Sequence, residues 1–333
     1  MSRSGCFRPP VRIPRESQEI QSETLRHVLG RFFVRYTLSM NLSSPAAVSA
    51  LLKRHDLRPR RRFGQNFLVD GNTLAKIVAA GQVQPGDCVL EIGAGLGVLT
   101  AALAEAVTPT GRVAALEIDT DLLPALEETV GPLAQVTVVP GDAMALDWPV
   151  FLTQQFGDAP VRAIANIPYN ITTPLLAALL EQRTRLVCIV LLVQKEVAMR
   201  LAAKAGTSDY GALSVFAQFH SKVETVGIVS RRVFFPAPDV DSAIVRLTPH
   251  LTPIVSIADE TLFFAVVRAA FGQRRKALLN ALSGDPALGW TREQAAAALQ
   301  AAAIDPGRRG ETLMLEEFAR LAVLPEVASQ LRE

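Results

Sequence analysis

Two short segments carry residue types and spacings that could do chemistry. In Glu91-Ile92-Gly93-Ala94-Gly95-Leu96-Gly97, three glycines alternate behind an acid. Glycines so spaced, after an apolar run and before a helical one, let the backbone turn tightly and approach a ligand closely. A dinucleotide fingerprint has its third glycine one residue later, and it offers bare N–H groups at a helix start to a pyrophosphate. Here the third glycine comes early and an acid stands ahead of the first. An acidic strand end suits a cofactor with a cationic amino group and a sulfonium, which points to S-adenosylmethionine. Glu117, at the tip of the next predicted strand, is placed to accept ribose hydroxyls, and Asp142, after the third, to meet an adenine amino group. Taken alone each acid could equally be an N-cap or turn residue; three at strand ends in one register favour a methyltransferase over a dehydrogenase.

The second segment is Asn166-Ile167-Pro168-Tyr169-Asn170, at the end of the fourth predicted strand. It suits an exocyclic adenine amino group, whose lone pair is delocalised into the ring and needs help to attack. The Asn166 side chain and the Ile167 carbonyl could accept the amino hydrogens and aim the nitrogen. Pro168 would fix φ and remove a competing N–H, and Tyr169 would stack on an extruded base. An in-line displacement at a sulfonium needs no strong base, so positioning and desolvation would carry catalysis. The bland alternative is a turn at Pro168 and Asn170 with Tyr169 as packing.

The elements that must hold these segments follow from alternation. Apolar runs at 88–92, 113–118, 136–139, 162–167 and 186–193 alternate with helical stretches such as 99–106 and 174–180, the pattern of a doubly wound parallel sheet. Runs at 223–229 and 243–247 are expected as an antiparallel pair at the far edge. The expected fold class is therefore α/β, a class I (Rossmann-like) methyltransferase with a seven-stranded, mostly parallel sheet. Beyond Pro253, helical spacing at 262–271, 277–282, 292–303 and 315–321 predicts a small C-terminal all-helical domain.

Length and composition agree. The 333 residues, 49% hydrophobic and 20% charged, are enough for two folding units. The longest apolar run, 186–193, falls short of the roughly 20 residues of a membrane helix and reads as a strand buried on both faces. Cys6, Cys88 and Cys188 are isolated and lie in no metal-ligand spacing, so no metal and a reducing cytoplasm are expected. Residues 1–40 lack an apolar period and are expected to be a disordered or over-extended tail, with Met40 as an alternative start. The methyltransferase domain is then 41–250, opening on a helix capped by Ser44 with Val48, Leu51 and Leu52 inward, and the helical domain is 251–333. The net charge of +2 does not announce a nucleic-acid binder, but Arg58, Arg60, Arg61 and Arg62 cluster, as do Arg274, Arg275 and Lys276.

Together with Arg62-Phe63-Gly64-Gln65-Asn66-Phe67-Leu68, Gln194-Lys195-Glu196-Val197, residues 235–243 and residues 271–276, the two segments resemble the ribosomal RNA adenine N6-dimethyltransferase family over about residues 45–325, and its small-subunit members best. The resemblance implies that Asn66 and Leu68 close over S-adenosylmethionine while Gly93, Glu117, Asp142 and Asn166 complete its pocket. It implies catalytic roles for Asn166, Ile167, Pro168 and Tyr169, and phosphate contacts from Arg61, Arg62, Arg274, Arg275 and Lys276. The implied substrate is a pair of adjacent adenosines in the 3′-terminal hairpin loop of small-subunit (16S) rRNA, free or in an assembling 30S subunit, met by a cytoplasmic monomer that touches no membrane. The alternatives are a 23S rRNA dimethylase of the antibiotic-resistance type, a non-catalytic RNA-binding assembly factor and a DNA adenine methyltransferase.

Overall fold

Each apolar run that ends at a glycine, acid or asparagine becomes a strand, and the order in which the strands pair fixes where the site lies. The computed structural model describes residues 42, 44–60, 64–167, 171–273 and 275–322. The expected tail at 1–40 lies outside them. The chain divides after Asn41, and every described element belongs to the part from Leu42 on.

Helix α1 (Pro45–Arg54) starts as expected, with the Ser44 hydroxyl accepting the Ala47 N–H at 3.2 Å and Val48, Leu51 and Leu52 buried. Strand β1 (Phe67–Leu68) and helix α2 (Gly71–Ala80) follow, and then β2 (Cys88–Ile92), α3 (Val98–Val107), β3 (Arg112–Glu117), α4 (Leu123–Val130) and β4 (Val136–Pro140) alternate. The alternation continues with α5 (Trp148–Phe156), β5 (Val161–Asn166), α6 (Thr172–Glu181), β6 (Leu186–Gln194), α7 (Lys195–Leu201) and α8 (Ala212–His220). Then come β7 (Ser221–Val229), β8 (Phe234–Phe235) and β9 (Ser242–Pro249), and the chain continues in helices α9 (Glu260–Gly272), α10 (Leu278–Ser283), α11 (Arg292–Ala301) and α12 (Leu315–Leu321).

The seven-stranded sheet has the order β4-β3-β2-β5-β6-β9-β7, with β9 antiparallel to β6 and to β7. From β2 the chain winds outward through β3 and β4, returns to β5 on the other side of β2, and winds on to β6. That reversal opens a crevice above the carboxyl ends of β2 and β5, the place where open α/β sheets bind ligands. Ile92 is in register with Ala165, so the glycine loop and Asn166 rise side by side. Strand β6 is buried along both faces save at Val187 and, in part, its last residue Gln194, which explains its unbroken apolar sequence.

A second, two-stranded sheet was not anticipated. β1 pairs antiparallel with β8, Phe67 opposite Phe235 and Leu68 opposite Phe234, and the Val69 N–H donates to the Val233 carbonyl at 2.8 Å. Two-residue strands have no period to read. The helical segment packs Phe263, Val266, Leu282, Leu299 and Phe318 into one core, and Tyr210, Val215 and Phe219 from around α8 complete it. Among the described residues, no helix is long and apolar enough to cross a membrane.

Candidate active site

Three positions in the glycine loop show why other residues do not serve there. Gly93, Gly95 and Gly97 have φ of 79°, 58° and 81°, a left-handed region that strains any side chain. A Cβ on Gly97 would lie 2.7 Å from the Val130 side chain, so α3 packs against α4 only through a bare Cα. A Cβ on Gly93 would stand 3.2 Å from the Asn166 carbonyl oxygen, so the two loops face each other across a gap without side chains. The N–H groups of Gly93 and Ala94 donate to the Leu116 carbonyl, which ties the loop to β3.

Three acids are arranged around this loop. Glu91 is 1% exposed, and its Oε2 has no hydrogen-bond partner. Burial pushes its carboxyl up to about 8; Thr100 nearby offsets part of that rise and the Glu117 charge adds to it. Glu117 is also buried. Its Oε2 accepts the Gly95 N–H at 2.7 Å and its Oε1 accepts the Asp119 N–H at 2.8 Å. Burial raises its pKa, while those two backbone donors hold the rise down. Asp119 lies two residues on, 3% exposed.

The fourth wall is the segment before α2. Phe67 lies against Gly95, where a Cβ would meet its ring edge at 3.3 Å, and Asn66 is fixed by its own amide donating to the Gly64 carbonyl at 2.9 Å. The Asn166 amide reaches the Asn66 carbonyl at 3.5 Å, which leaves its Oδ1 without a partner among the described residues. Pairing of β1 with β8 holds this strap across the crevice and brings Phe234 to its edge.

Of the residues expected here, Asn66, Leu68, Gly93, Glu117, Asn166 and Ile167 line one cleft. Asp142 does not. It is exposed, follows β4, and its carboxylate accepts the Met144 N–H at 2.8 Å, which makes it a turn cap in this structure. Pro168, Tyr169, Arg61, Arg62 and Arg274 lie outside the described residues. Arg275 and Lys276 are exposed after α9, with no ion pair among the described residues.

Sequence reasoning also missed lining residues. Ile118, 42% exposed between two acids, and Phe234 line the same cleft. An apolar residue between Glu117 and Asp119, and two phenylalanines ahead of Pro236, were the available signals. The cleft fits S-adenosylmethionine on its own terms. An unpartnered interior carboxylate can take a cationic amino group, a second carboxylate can turn from N–H donors to hydroxyls, and Ile118 offers an apolar surface to a flat ring.

The family profile described as Ribosomal RNA adenine dimethylase matches residues 57–321. The chain belongs to that family. The dimethylase uses S-adenosylmethionine as its methyl donor. It is 46% identical over 287 residues, covering 85% of this chain and 98% of the relative, to a protein of Moorella thermoacetica named Ribosomal RNA small subunit methyltransferase A. Among solved structures it is similar to a dimethyladenosine transferase from Plasmodium falciparum, with a TM-score of 0.62 at 27% identity covering 77% of this chain and 95% of that one. It is also similar to the 23S rRNA methyltransferase ErmE, with a TM-score of 0.59 at 29% identity covering 77% and 98%.

Proposed function

We propose that this dimethylase transfers methyl groups to N6 of two adjacent adenosines in the 3′-terminal hairpin loop of small-subunit (16S) rRNA, acting as a cytoplasmic monomer on the assembling 30S subunit. The observation that carries the chemistry is Asn166 standing at the end of β5 beside the acid-lined loop, with Oδ1 turned to no described partner. The choice of small-subunit over large-subunit RNA is supported by the greater likeness to the small-subunit relative, 46% identical against 29% for ErmE.

When bound, S-adenosylmethionine supplies an electrophilic methyl group on a cationic sulfur. Glu91 takes the cofactor's amino group and Glu117 its ribose hydroxyls. Asn166 Oδ1 and the Ile167 carbonyl would accept the N6 hydrogens, two in the first transfer and the one that remains in the second, and turn the nitrogen lone pair toward the methyl donor. Pro168 fixes the direction of that carbonyl and Tyr169 stacks on the base. Each transfer would form an N6–C bond as the methyl–sulfur bond breaks, leaving a neutral thioether, and the surplus N6 proton would reach solvent as the product leaves the cleft. Phe67 and Phe234 exclude water from the cleft, so charge interactions there are stronger than at the surface. Arg274, Arg275 and Lys276 of the helical domain, 251–333, serve as phosphate contacts, and Arg61 and Arg62 add to them. Asp142 caps the Met144 N–H through Oδ1 and has Oδ2 left to accept the cofactor's adenine amino group.

The test is labelled methyl transfer to 30S subunits, and to free 16S rRNA, from a strain lacking the modification, followed by mass mapping of the nucleosides. Dimethyladenosine at two neighbouring 16S positions is the expected product. Label in 23S rRNA alone would establish the large-subunit reading, and no transfer to either RNA would sink both.

A further inference from the structure

Arg60 sits in the run of arginines whose charge suggests RNA contact, yet its guanidinium is taken up by two carboxylates of this chain. Nη1 donates to Asp119 Oδ1 at 3.0 Å, and Nη2 pairs with Asp121. Gln65 donates from Nε2 to the other Asp119 oxygen at 2.6 Å and accepts the Arg60 N–H at 2.8 Å. One carboxylate, 3% exposed, thus gathers both ends of the segment 60–65. That segment runs straight into Asn66, Phe67 and Leu68, which form the fourth wall of the cofactor cleft.

Asp119 is also joined to the cleft from below. Its N–H donates to Glu117 Oε1, and Ile118 between them lines the pocket. The end of β3 that would meet the ribose and the adenine is therefore the element that anchors the strap. A buried carboxylate with a cation and an amide on it is costly to leave unpaired, so these contacts open or close together. Among the described residues the Asp119 carboxylate otherwise accepts only the Asp121 N–H, capping the short turn after it, and that bond is long at 3.3 Å.

We propose that Arg60, Gln65 and Asp119 form a latch that holds the strap closed over bound S-adenosylmethionine and sets how long the cofactor stays. They are positioning residues: none touches the reacting atoms. The inference rests on the cofactor being S-adenosylmethionine and does not depend on which RNA is methylated.

The experiment uses the full chain with Arg60→Gln, Arg60→Lys and Asp119→Asn. It measures the dissociation rate of S-adenosylmethionine, KM for cofactor, kcat, and RNA affinity against salt. Arg60→Gln and Asp119→Asn are expected to speed cofactor dissociation on the order of tenfold, the effect of losing one charge-assisted hydrogen bond. KM should rise more than kcat falls, Arg60→Lys should recover part of the loss, and the double variant should be little worse than Asp119→Asn alone. Arg60 is 38% exposed, so the Arg60 pair carries the test if Asp119→Asn does not fold. Unchanged cofactor dissociation, with an RNA salt slope reduced by about one, would make Arg60 a phosphate contact and overturn the latch. Failure of the unaltered protein to bind S-adenosylmethionine would instead overturn the cofactor assignment.

Discussion

The cofactor cleft and the rim of the helical segment use charge in opposite ways. In and just behind the cleft wall, Glu91, Glu117 and Asp119 are each at most 5% exposed, the first two lining the cleft and the third anchoring the strap, and two of the three are already engaged by backbone or strap donors. At the rim, Arg275 and Lys276 stand in solvent without ion pairs among the described residues. Buried charge is held in one geometry and becomes expensive if its partner leaves, whereas exposed charge is cheap, screened and free to meet a flexible polyanion. Cofactor chemistry should accordingly respond to single atoms and substrate affinity to summed charge. Arg58 and Arg60 make the same contrast two residues apart: the first is exposed, the second locked to Asp119.

The sharpest break of that contrast is Asn166→Ala. It removes the Oδ1 acceptor and leaves the glycine loop intact, and turnover is expected to fall by about 100-fold or more, the scale of losing one preorganised polar group at a reacting centre. Cofactor affinity should change only several-fold, about one hydrogen bond. Single-turnover methylation alongside equilibrium cofactor binding reads both, and a variant that retains full turnover would remove Asn166 from the chemistry.

Glu91 supplies the next effect, and its sign runs against the usual carboxylate case. Its folded pKa, about 8, lies above the ordinary 4.5, so the protonated form is favoured in the free protein. The stability this contributes is complete below pH 4.5 and is lost as pH rises through 8. Glu91→Gln should therefore stabilise the cofactor-free protein at pH 9, by about 1–3 kcal/mol, while weakening S-adenosylmethionine binding roughly tenfold or more through loss of the anion. In the unaltered protein, cofactor affinity should climb between pH 6 and pH 8 as Glu91 ionises, and the variant should lack that limb. Thermal melts and calorimetric titrations across pH decide it; parallel pH profiles would mean that Glu91 is only a buried structural acid.

Glu91, Glu117 and the three glycines were legible in the sequence for a physical reason. Positive φ at Gly93, Gly95 and Gly97 and an acid at a strand end are demands of the backbone and the ligand, so they leave fixed residue types at fixed spacing. The sheet was legible because each strand is an apolar run closed by a turn signal. The resemblance implied that Asn66 and Leu68 close over the cofactor, but the pairing that holds them there was not legible, since two-residue strands have no period and the partners of Phe67 and Leu68 lie far along the chain at Phe235 and Phe234. Nor could the sequence separate Arg60 from Arg58, because ion pairing is settled by what the fold brings near. Asp142 shows the same limit. Its place after β4 was readable, but its side chain caps the Met144 N–H and lies outside the cleft.

The smallest expected effect tests the rim. Replacing Arg275 and Lys276 together by Glu should lower RNA affinity several-fold near physiological salt and reduce the slope of log affinity against log salt by about two, one for each phosphate no longer neutralised. S-adenosylmethionine binding should be unchanged, because both side chains are exposed and neither lines the cleft. The outcome bears on the contrast itself: a rim that works by summed charge should lose about half as much when only one of the two is changed. If Arg275→Glu alone accounted for the whole loss, that arginine would be making a specific, geometrically fixed contact, and the rim would resemble the cleft more than its exposure suggests.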